Sequence, residues 1–307
     1  MNLSVVIPNY NGEKILSKNL PIILDEINNY KNGKTEVIIV DDASKDNSTG
    51  LINKFPQVAL LVNPKNLGFS KSVNKGVAYA KGDVIILLNT DVKPDKNFLA
   101  PLLIHFKDEN IFAVGCMDKS IEGEKVVLRG RGVGTWKRGL LIHQRGEINA
   151  SDTLWVSAGS GAFRKITWDK LGGLNELYSP FYWEDIDLSY RAQKSGYSLV
   201  FESKSTVLHE HDKGVIKNQF SSFDVKVIVY RNQFIFVWTN LTDFDLVLKH
   251  LAWFPYHIVK AILNKDTAFI LGLFKALSLG PQIIKSRKGN KKLFVKKDIE
   301  ITKNYNK

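Results

Sequence analysis

Four short apolar runs, each closed by an acidic or amide residue, constrain this chain more than any other feature. Leu3 to Pro8, Val37 to Val40, Val58 to Val62 and Val84 to Leu88 are apolar and carry many β-branched residues. That character predicts strands buried on both faces, as in a parallel sheet. Helical patterns stand between them. Ile15, Leu16, Leu20, Ile23, Leu24 and Ile27 recur at helical spacing, with Pro21 predicting a kink or a restart. Val73, Val77 and Ala80 share one face of a helix from Ser70 to Ala80, ended by Gly82. The alternation predicts an α/β fold, a doubly wound and mostly parallel sheet flanked by helices.

In such sheets ligands bind beyond the carboxyl ends of the strands. Val40 runs into Asp41-Asp42, and Leu88 runs into Asn89-Thr90-Asp91. A third cluster, Glu184-Asp185-Ile186-Asp187, follows Phe181-Tyr182-Trp183. Carboxylates gathered there can hold Mg²⁺ or Mn²⁺ on a phosphate, grip a nucleotide or take a proton. An aromatic wall desolvates a carboxylate and lifts its pKa toward that of a working base. Turn and cap chemistry also places Asn and Asp at strand exits and acids at a helix start. Either imidazole of Leu208-His209-Glu210-His211-Asp212 is able to complete a metal site or meet a phosphate.

The middle is less regular. Arg129 to Gly134 reads as a basic glycine-rich loop, and Trp155 to Ala158 as a short strand. Glu184 to Lys194 reads as a helix closed by Gly196, followed by extended segments Tyr197 to Glu202 and Thr206 to His209.

Charge changes sharply near the end. The net charge is +12, and Leu246 to Lys307 alone carries 13 Lys/Arg against 3 Asp/Glu. A basic end on a near-neutral body predicts an anionic partner, membrane or nucleic acid. Leu246 to Ile284 is apolar with spaced lysines, and its quietest stretch, Ala268 to Ile284, falls short of the roughly 20 residues a span requires. It reads as an interfacial amphipathic helix. The single Cys116 rules out an intrachain disulfide, and the N-terminal residues lack a secretory pattern, so we expect a cytoplasmic location. The sequence has no Walker-type phosphate loop, no G-x-G-x-x-G after the first strand, no zinc cluster and no nucleophile elbow.

The ordered series Val5 to Gly12, Ile39 to Asp46, Asn66 to Phe69 with Asn74 to Gly76, Gly82-Asp83, Leu87 to Asp91, Gly159 to Ala162, and Glu184 to Leu188 with Arg191 resembles the family 2 glycosyltransferases of GT-A fold. It covers roughly residues 3 to 240 and looks most like the rhamnosyltransferase-like branch of bacterial surface-polysaccharide enzymes. The resemblance implies a domain over 1–240, with a nucleotide-binding half at 1–110 and an acceptor-binding half at 111–240. Residues 241–307 form a basic amphipathic helical extension. It implies inverting transfer of a sugar from a nucleotide-diphosphate donor to a glycan or lipid-linked acceptor. By the same resemblance Asp185 is the general base and Glu184 orients the acceptor. Pro8, Tyr10, Asn11, Asp41, Asp42, Asn66, Gly68, Asn74, Asn89 and Asp91 bind the donor. Asp91 and His209 hold Mg²⁺ or Mn²⁺, and Gly161, Trp183, Asp187 and Arg191 meet the acceptor. The expected location is peripheral on the inner face of the cell membrane, on an anionic surface and without nucleic acid. Competing readings are a non-catalytic sugar-nucleotide binder on the same fold, a nucleotidyltransferase and a nucleic-acid binder.

Overall fold

The computed structural model describes residues 1–123, 125–209, 220–303 and 305. Strands β1 (Leu3–Asn9), β2 (Thr35–Asp41), β3 (Val58–Val62) and β4 (Val84–Leu88) pair in parallel, in the order β3-β2-β1-β4. Helices α1 (Glu13–Asn28), α2 (Ser48–Ile52) and α3 (Phe69–Tyr79) make the connections. Of the kink or restart expected at Pro21, the restart does not occur: α1 runs through it. Pro21 and Ser17, whose carbonyl loses its partner, are both exposed, so that group is open to solvent.

The same sheet continues with strands from the second half. β5 (Val92–Pro94), β6 (Ile111–Glu122), β7 (Lys125–Arg129), β10 (Ser160–Arg164) and β11 (Ser198–His209) extend it as β4-β10-β6-β11-β5, with β7 folded back on β6. Strands β1 to β4, β6 and β11 run one way, and β5, β7 and β10 the other. The fold is thus the mostly parallel α/β sheet that the alternation predicts. β8 (Gly132–Lys137) and β9 (Leu140–Arg145) form a separate antiparallel hairpin.

Successive strand residues point to opposite faces. Val5 and Ile7 therefore meet Leu16, Leu20 and Ile23 of α1 in one apolar layer. Val6, Ile38 and Val40 meet Val73 and Val77 of α3 in the other. Burial on both faces explains why these strands read as unbroken apolar runs.

Three local expectations change. The stretch Arg129 to Gly134 is no continuous loop: it ends β7 and opens β8. Gly132 is required there, since a Cβ would sit 2.2 Å from the Trp155 ring. Trp155 to Ala158 is irregular, and Val156 N donates to Ser189 Oγ instead of to a ladder. Tyr197 to Glu202 and Thr206 to His209 belong mostly to one strand, β11, with an irregularity between Glu202 and Thr206.

Beyond the sheet lie α4 (Leu99–Leu103), α5 (Lys165–Leu171), α6 (Glu184–Lys194) and α7 (Ser222–Asn240). The basic end forms α8 (Phe244–Leu263), α9 (Thr267–Leu277), α10 (Gly280–Lys291) and α11 (Asp298–Lys303). A third apolar cluster joins Leu141 of the hairpin, Trp183, Tyr190 of α6, Phe236 of α7, Leu246, Leu273 and Ile301. The helical extension therefore shares a core with the body. α7 is apolar on several sides, which suits a helix buried between neighbours. Among the described residues no single helix is long and apolar enough to cross a membrane. Helices α9 and α10 pass that test only together, bent by 69° at their junction.

Candidate active site

Three strand exits build one side of the site. Asn9 and Asp41 end β1 and β2 opposite each other, and Asn9 Nδ2 donates to Asp41 Oδ1 at 2.7 Å. Asp41 also accepts from Ser44 N at 2.9 Å and Ser44 Oγ at 2.6 Å. Asp42 reaches the next loop and accepts from Asn63 Nδ2, Leu67 N and Gly68 N, each at 2.8 Å. Both carboxylates are buried. Their first task is to shape the two loops. Asn11, left-handed at φ 52°, ties to that turn by accepting from Lys45 N. Pro8 and Tyr10 are half-buried, and Asn11 and Asn66 are exposed, so this rim stays open.

Register assembles the second corner. β11 pairs with β5 so that His209 faces Val92, which brings its ring to Asp91. His209 Nε2 lies 3.3 Å from Asp91 Oδ2. On its other side Nδ1 lies 2.9 Å from Asp118 Oδ2 of β6. Asp118 in turn accepts from Ser120 Oγ at 3.1 Å. Burial opposes the imidazolium, but the hydrogen bonds and charges of Asp118 and Asp91 outweigh it, and the His209 pKa is pushed up to about 9. The loop bearing Asp91 is fixed by Asn89 N donating to Gly159 O and by Asn19 Nδ2 donating to Thr90 O. His211 lies outside the described residues.

Among the described residues no three acidic, histidine or cysteine side chains form a complete metal cage. Asp91 Oδ2 and His209 Nε2 approach to 3.3 Å and could supply two ligands, and Asp118 holds the ring from behind. That set fits a divalent ion carried by a diphosphate, which takes one or two protein ligands and completes its shell with phosphate and water.

The third group is the acidic start of α6. Glu184 is buried, and its Oε2 has no partner among the described residues. Asp185 is half-buried and accepts from the Ile186 N–H at 2.8 Å. Burial, and for Glu184 also the neighbouring Asp185 charge, raises both pKa values: Glu184 well above the ordinary range and Asp185 to about 6. The turn before them is unusual, since Tyr182 and Trp183 both have positive φ, at 69° and 77°. α7 clamps it. Asn232 Nδ2 lies 2.8–3.0 Å from the carbonyls of Tyr178, Phe181 and Tyr182, and Arg231 donates to those of Tyr178 and Ser179. Ser179 lies beside the loop of Gly68, where an added Cβ would come within 3.6 Å of its Oγ.

The structure places four expected acceptor residues and one expected donor residue in internal contacts. Asp187 and Arg191 are buried and pair at 2.7 Å. Asp187 also accepts from Tyr178 Oη and Asn240 Nδ2, and Arg191 donates to the Leu171 and Gly173 carbonyls. They support α6 from within. Gly161 is buried in β10, where a Cβ would lie 2.5 Å from Val156. The Trp183 ring is buried against His143 and Phe236, so it backs the carboxylates. The exposed ring of that run is Tyr182. Asn74 clips the Leu174 backbone through both its amide atoms.

The sequence pattern missed Asp118, Arg231, Asn232 and His143. Asp118 follows the apolar run of β6 as Asp91 follows β4, and that was the available signal. The other three depend on contacts between distant segments.

The fold and these corners define a class, and comparison agrees. The family model described as "Glycosyl transferase family 2" matches residues 4–169. The chain belongs to that family. An O-antigen chain rhamnosyltransferase, WbaN of Salmonella anatum, is 24% identical over 186 residues, 59% of this chain and 58% of that protein. The probable glycosyltransferase YdaM of Bacillus subtilis is 27% identical over 301 residues, 90% of this chain and 68% of that one. The chain thus spans about three-fifths of the first relative. Among solved structures, S. aureus TarS 1-349 superposes with a TM-score of 0.60 at 13% identity, over 99% of this chain and 91% of that one. GalNAc-T7 with UDP, GalNAc and Mn²⁺ gives 0.63 at 19% identity, over 78% and 48%. The fold is that of the GT-A glycosyltransferases.

Proposed function

We propose that this chain transfers a sugar from a nucleoside-diphosphate donor to a hydroxyl of a glycan or lipid-linked glycan, with inversion, in cell-surface polysaccharide synthesis. One observation carries it. A carboxylate with its pKa raised to about 6, Asp185, follows a turn that lies beside the loop held by Asp42. Pro8, Tyr10 and Asn11 line the nucleotide crevice, with Asp41 and Asp42 at its base and Asn66 and Gly68 on its rim. Asp91 and His209 would hold a divalent ion, with Asn89 beside them. Bound there, Mg²⁺ or Mn²⁺ would supply positive charge toward the departing diphosphate. Asp185 takes the proton from the acceptor hydroxyl as that oxygen attacks the anomeric carbon from the opposite side. Burial and the neighbouring Asp185 charge push the Glu184 carboxyl well above the usual carboxylate range, which favours its neutral form beside Asp185. Tyr182 offers its exposed ring to the acceptor sugar.

Relatives and neighbours support this reading by their names and complexes: rhamnosyltransferases among the former, and complexes with UDP, GDP-Man or UDP-GlcNAc among the latter. The helical extension holds the enzyme on the inner face of the membrane, where a lipid-linked acceptor is presented. The test is thermal stabilisation by UDP, dTDP and GDP, each with and without Mn²⁺ or Mg²⁺. A metal-dependent rise with one nucleotide, growing as ln(1 + [L]/Kd), is expected. No rise with any of them counts against the transferase.

A further inference from the structure

We infer that the outer face of α8 is the surface that docks on an anionic phospholipid membrane, and that the cleft behind it receives one hydrocarbon chain. This rests on the membrane reading above and assigns it to named residues. Phe244, Leu248, Leu251, Pro255, Val259 and Ile262 recur every three or four residues and form one stripe. All are exposed, Phe244 at 72%, Leu251 at 61% and Ile262 at 63%. The opposite face of α8 carries the buried Leu246, His250 and Ala261. A continuous apolar stripe left in water marks an interaction surface.

Its border is that of an interfacial helix. Lys249 and Lys260 flank the stripe on the side of Trp253 and Tyr256, the residue types that settle at headgroup depth. The hairpin tip fixes this border. Arg138 donates to Tyr256 Oη at 2.7 Å and lies 5.2 Å and 5.0 Å from the Trp253 and Tyr256 ring centres. Leu271, Phe274 and Leu277 of α9 add exposed apolar side chains, while α10 presents Lys285, Lys288 and Lys291.

Leu251 also borders a cleft of about 370 Å³ between α7, α8, α9 and α10. Trp238, Leu241, Val247, Phe254 and Leu277 line it, with Arg287 beside them. The Arg287 guanidinium is anchored by the Trp238 carbonyl at 3.0 Å. An apolar cleft beside a fixed cation matches a hydrocarbon chain that carries a phosphate. A nucleic acid would meet apolar side chains at the centre of this face, with charge only at its edge. A second copy would bring a second strongly basic extension against the first. The lipid surface alone matches both features.

One hairpin connects the face to the site. From Gly139, against α8, to His143 is about 13 Å along β9. There the His143 ring meets Trp183 at 4.8 Å.

Co-sedimentation with vesicles of phosphatidylcholine and phosphatidylglycerol in equal parts tests the assignment, with no donor or metal present. The full chain is expected to bind, and to lose binding on pure phosphatidylcholine. Leu251→Glu with Val259→Glu is expected to weaken vesicle binding by roughly a hundredfold. Lys249→Glu with Lys260→Glu, at polar surface positions, serves if the first pair fails to fold, and is expected to weaken it roughly tenfold. No vesicle binding by the full chain overturns the inference. So does binding that survives both variants, an oligomer that the apolar variant dissolves in place of vesicle binding, or binding to oligonucleotides alone. A nucleotide-induced thermal shift that persists while vesicle binding fails leaves the transferase standing, and the converse leaves the docking face standing.

Discussion

The side-chain amide of Asn232 lies 2.8 Å from the Tyr182 carbonyl, and that contact holds the turn that aims Asp185. Asn232 is fully buried on α7, fifty residues further along the chain. Its Nδ2 also lies within 3.0 Å of the Tyr178 and Phe181 carbonyls. Asn232→Leu keeps the volume and removes the donor. Leaving these carbonyls unpaired costs about 2–4 kcal/mol. A displacement of the base by about an ångström lowers kcat by about a hundredfold. Steady-state kinetics beside a denaturant titration checks both. A kcat loss with an unchanged donor KM is the expected split, and unchanged kcat would mean that the turn holds itself.

Asp185 gives a prediction with a definite sign. Its folded pKa is raised to about 6, chiefly by burial, while the unfolded value is about 3.9. Between those values the folded state binds more protons, so stability falls as pH rises through that window. Above pH 6 the cost is fully present. Asp185→Asn is therefore expected to stabilise the fold at pH 7 by on the order of 1–2 kcal/mol, allowing for partial exposure, with the gain vanishing near pH 4. The same substitution removes the base and lowers turnover by about 10²–10⁴. In the parent protein kcat falls as pH drops through about 6. Melting curves across pH, beside activity, check the pair. A variant that is less stable at pH 7 would show that Asp185 makes a contact the unliganded fold requires.

Much of this was legible from residue patterns, and the limits are physical. β1, β2 and β4 are buried on both faces along most of their length, so their apolar runs point directly to a parallel sheet. Asp91 and Asp185 follow from position, one past a strand end and one at a helix start. Asp187 and Arg191 were not legible as an internal pair, because a buried ion pair and a ligand-facing pair use the same side chains at the same spacing. Only burial separates them. The clamp from Arg231 and Asn232 and the backing by Asp118 arise between segments 50 or more residues apart, and helical or strand periodicity carries no information at that range.

In the proposed function Asp118 positions the histidine of the metal corner. It bonds His209 Nδ1 at 2.9 Å and leaves Nε2 turned to Asp91. A carboxylate behind a ligating histidine fixes the ring and raises its basicity. Asp118→Asn is expected to weaken Mn²⁺ binding in the presence of nucleoside diphosphate by about 10–100-fold. Nucleotide binding without metal should stay unchanged. Calorimetric titration of Mn²⁺ into the nucleotide complex measures this. Equal affinity in the variant would remove His209 from the ligand set.

The buried pair Lys194 and Asp298 tests how firmly the extension belongs to the body. Both side chains are fully buried and lie 2.7 Å apart. Asp298 also accepts from Tyr190 Oη, Thr242 N and Asp243 N, so one carboxylate at the start of α11 ties α6 to the entry of α8. Its pKa is lowered because the Lys194 charge and these hydrogen bonds outweigh the effect of burial. Asp298→Ala strands a buried ammonium and costs about 3–5 kcal/mol. A detachable extension would unfold in a separate, earlier transition and leave the nucleotide-binding half intact. A shared core predicts a single transition that shifts as a whole. Replacing both partners, Lys194→Met with Asp298→Leu, is expected to recover most of the loss, since an apolar pair leaves no charge unpaired. Denaturant unfolding of the two variants, followed by tryptophan fluorescence and by circular dichroism, separates these outcomes. Non-coincident transitions in the parent protein would argue for an extension that folds on its own.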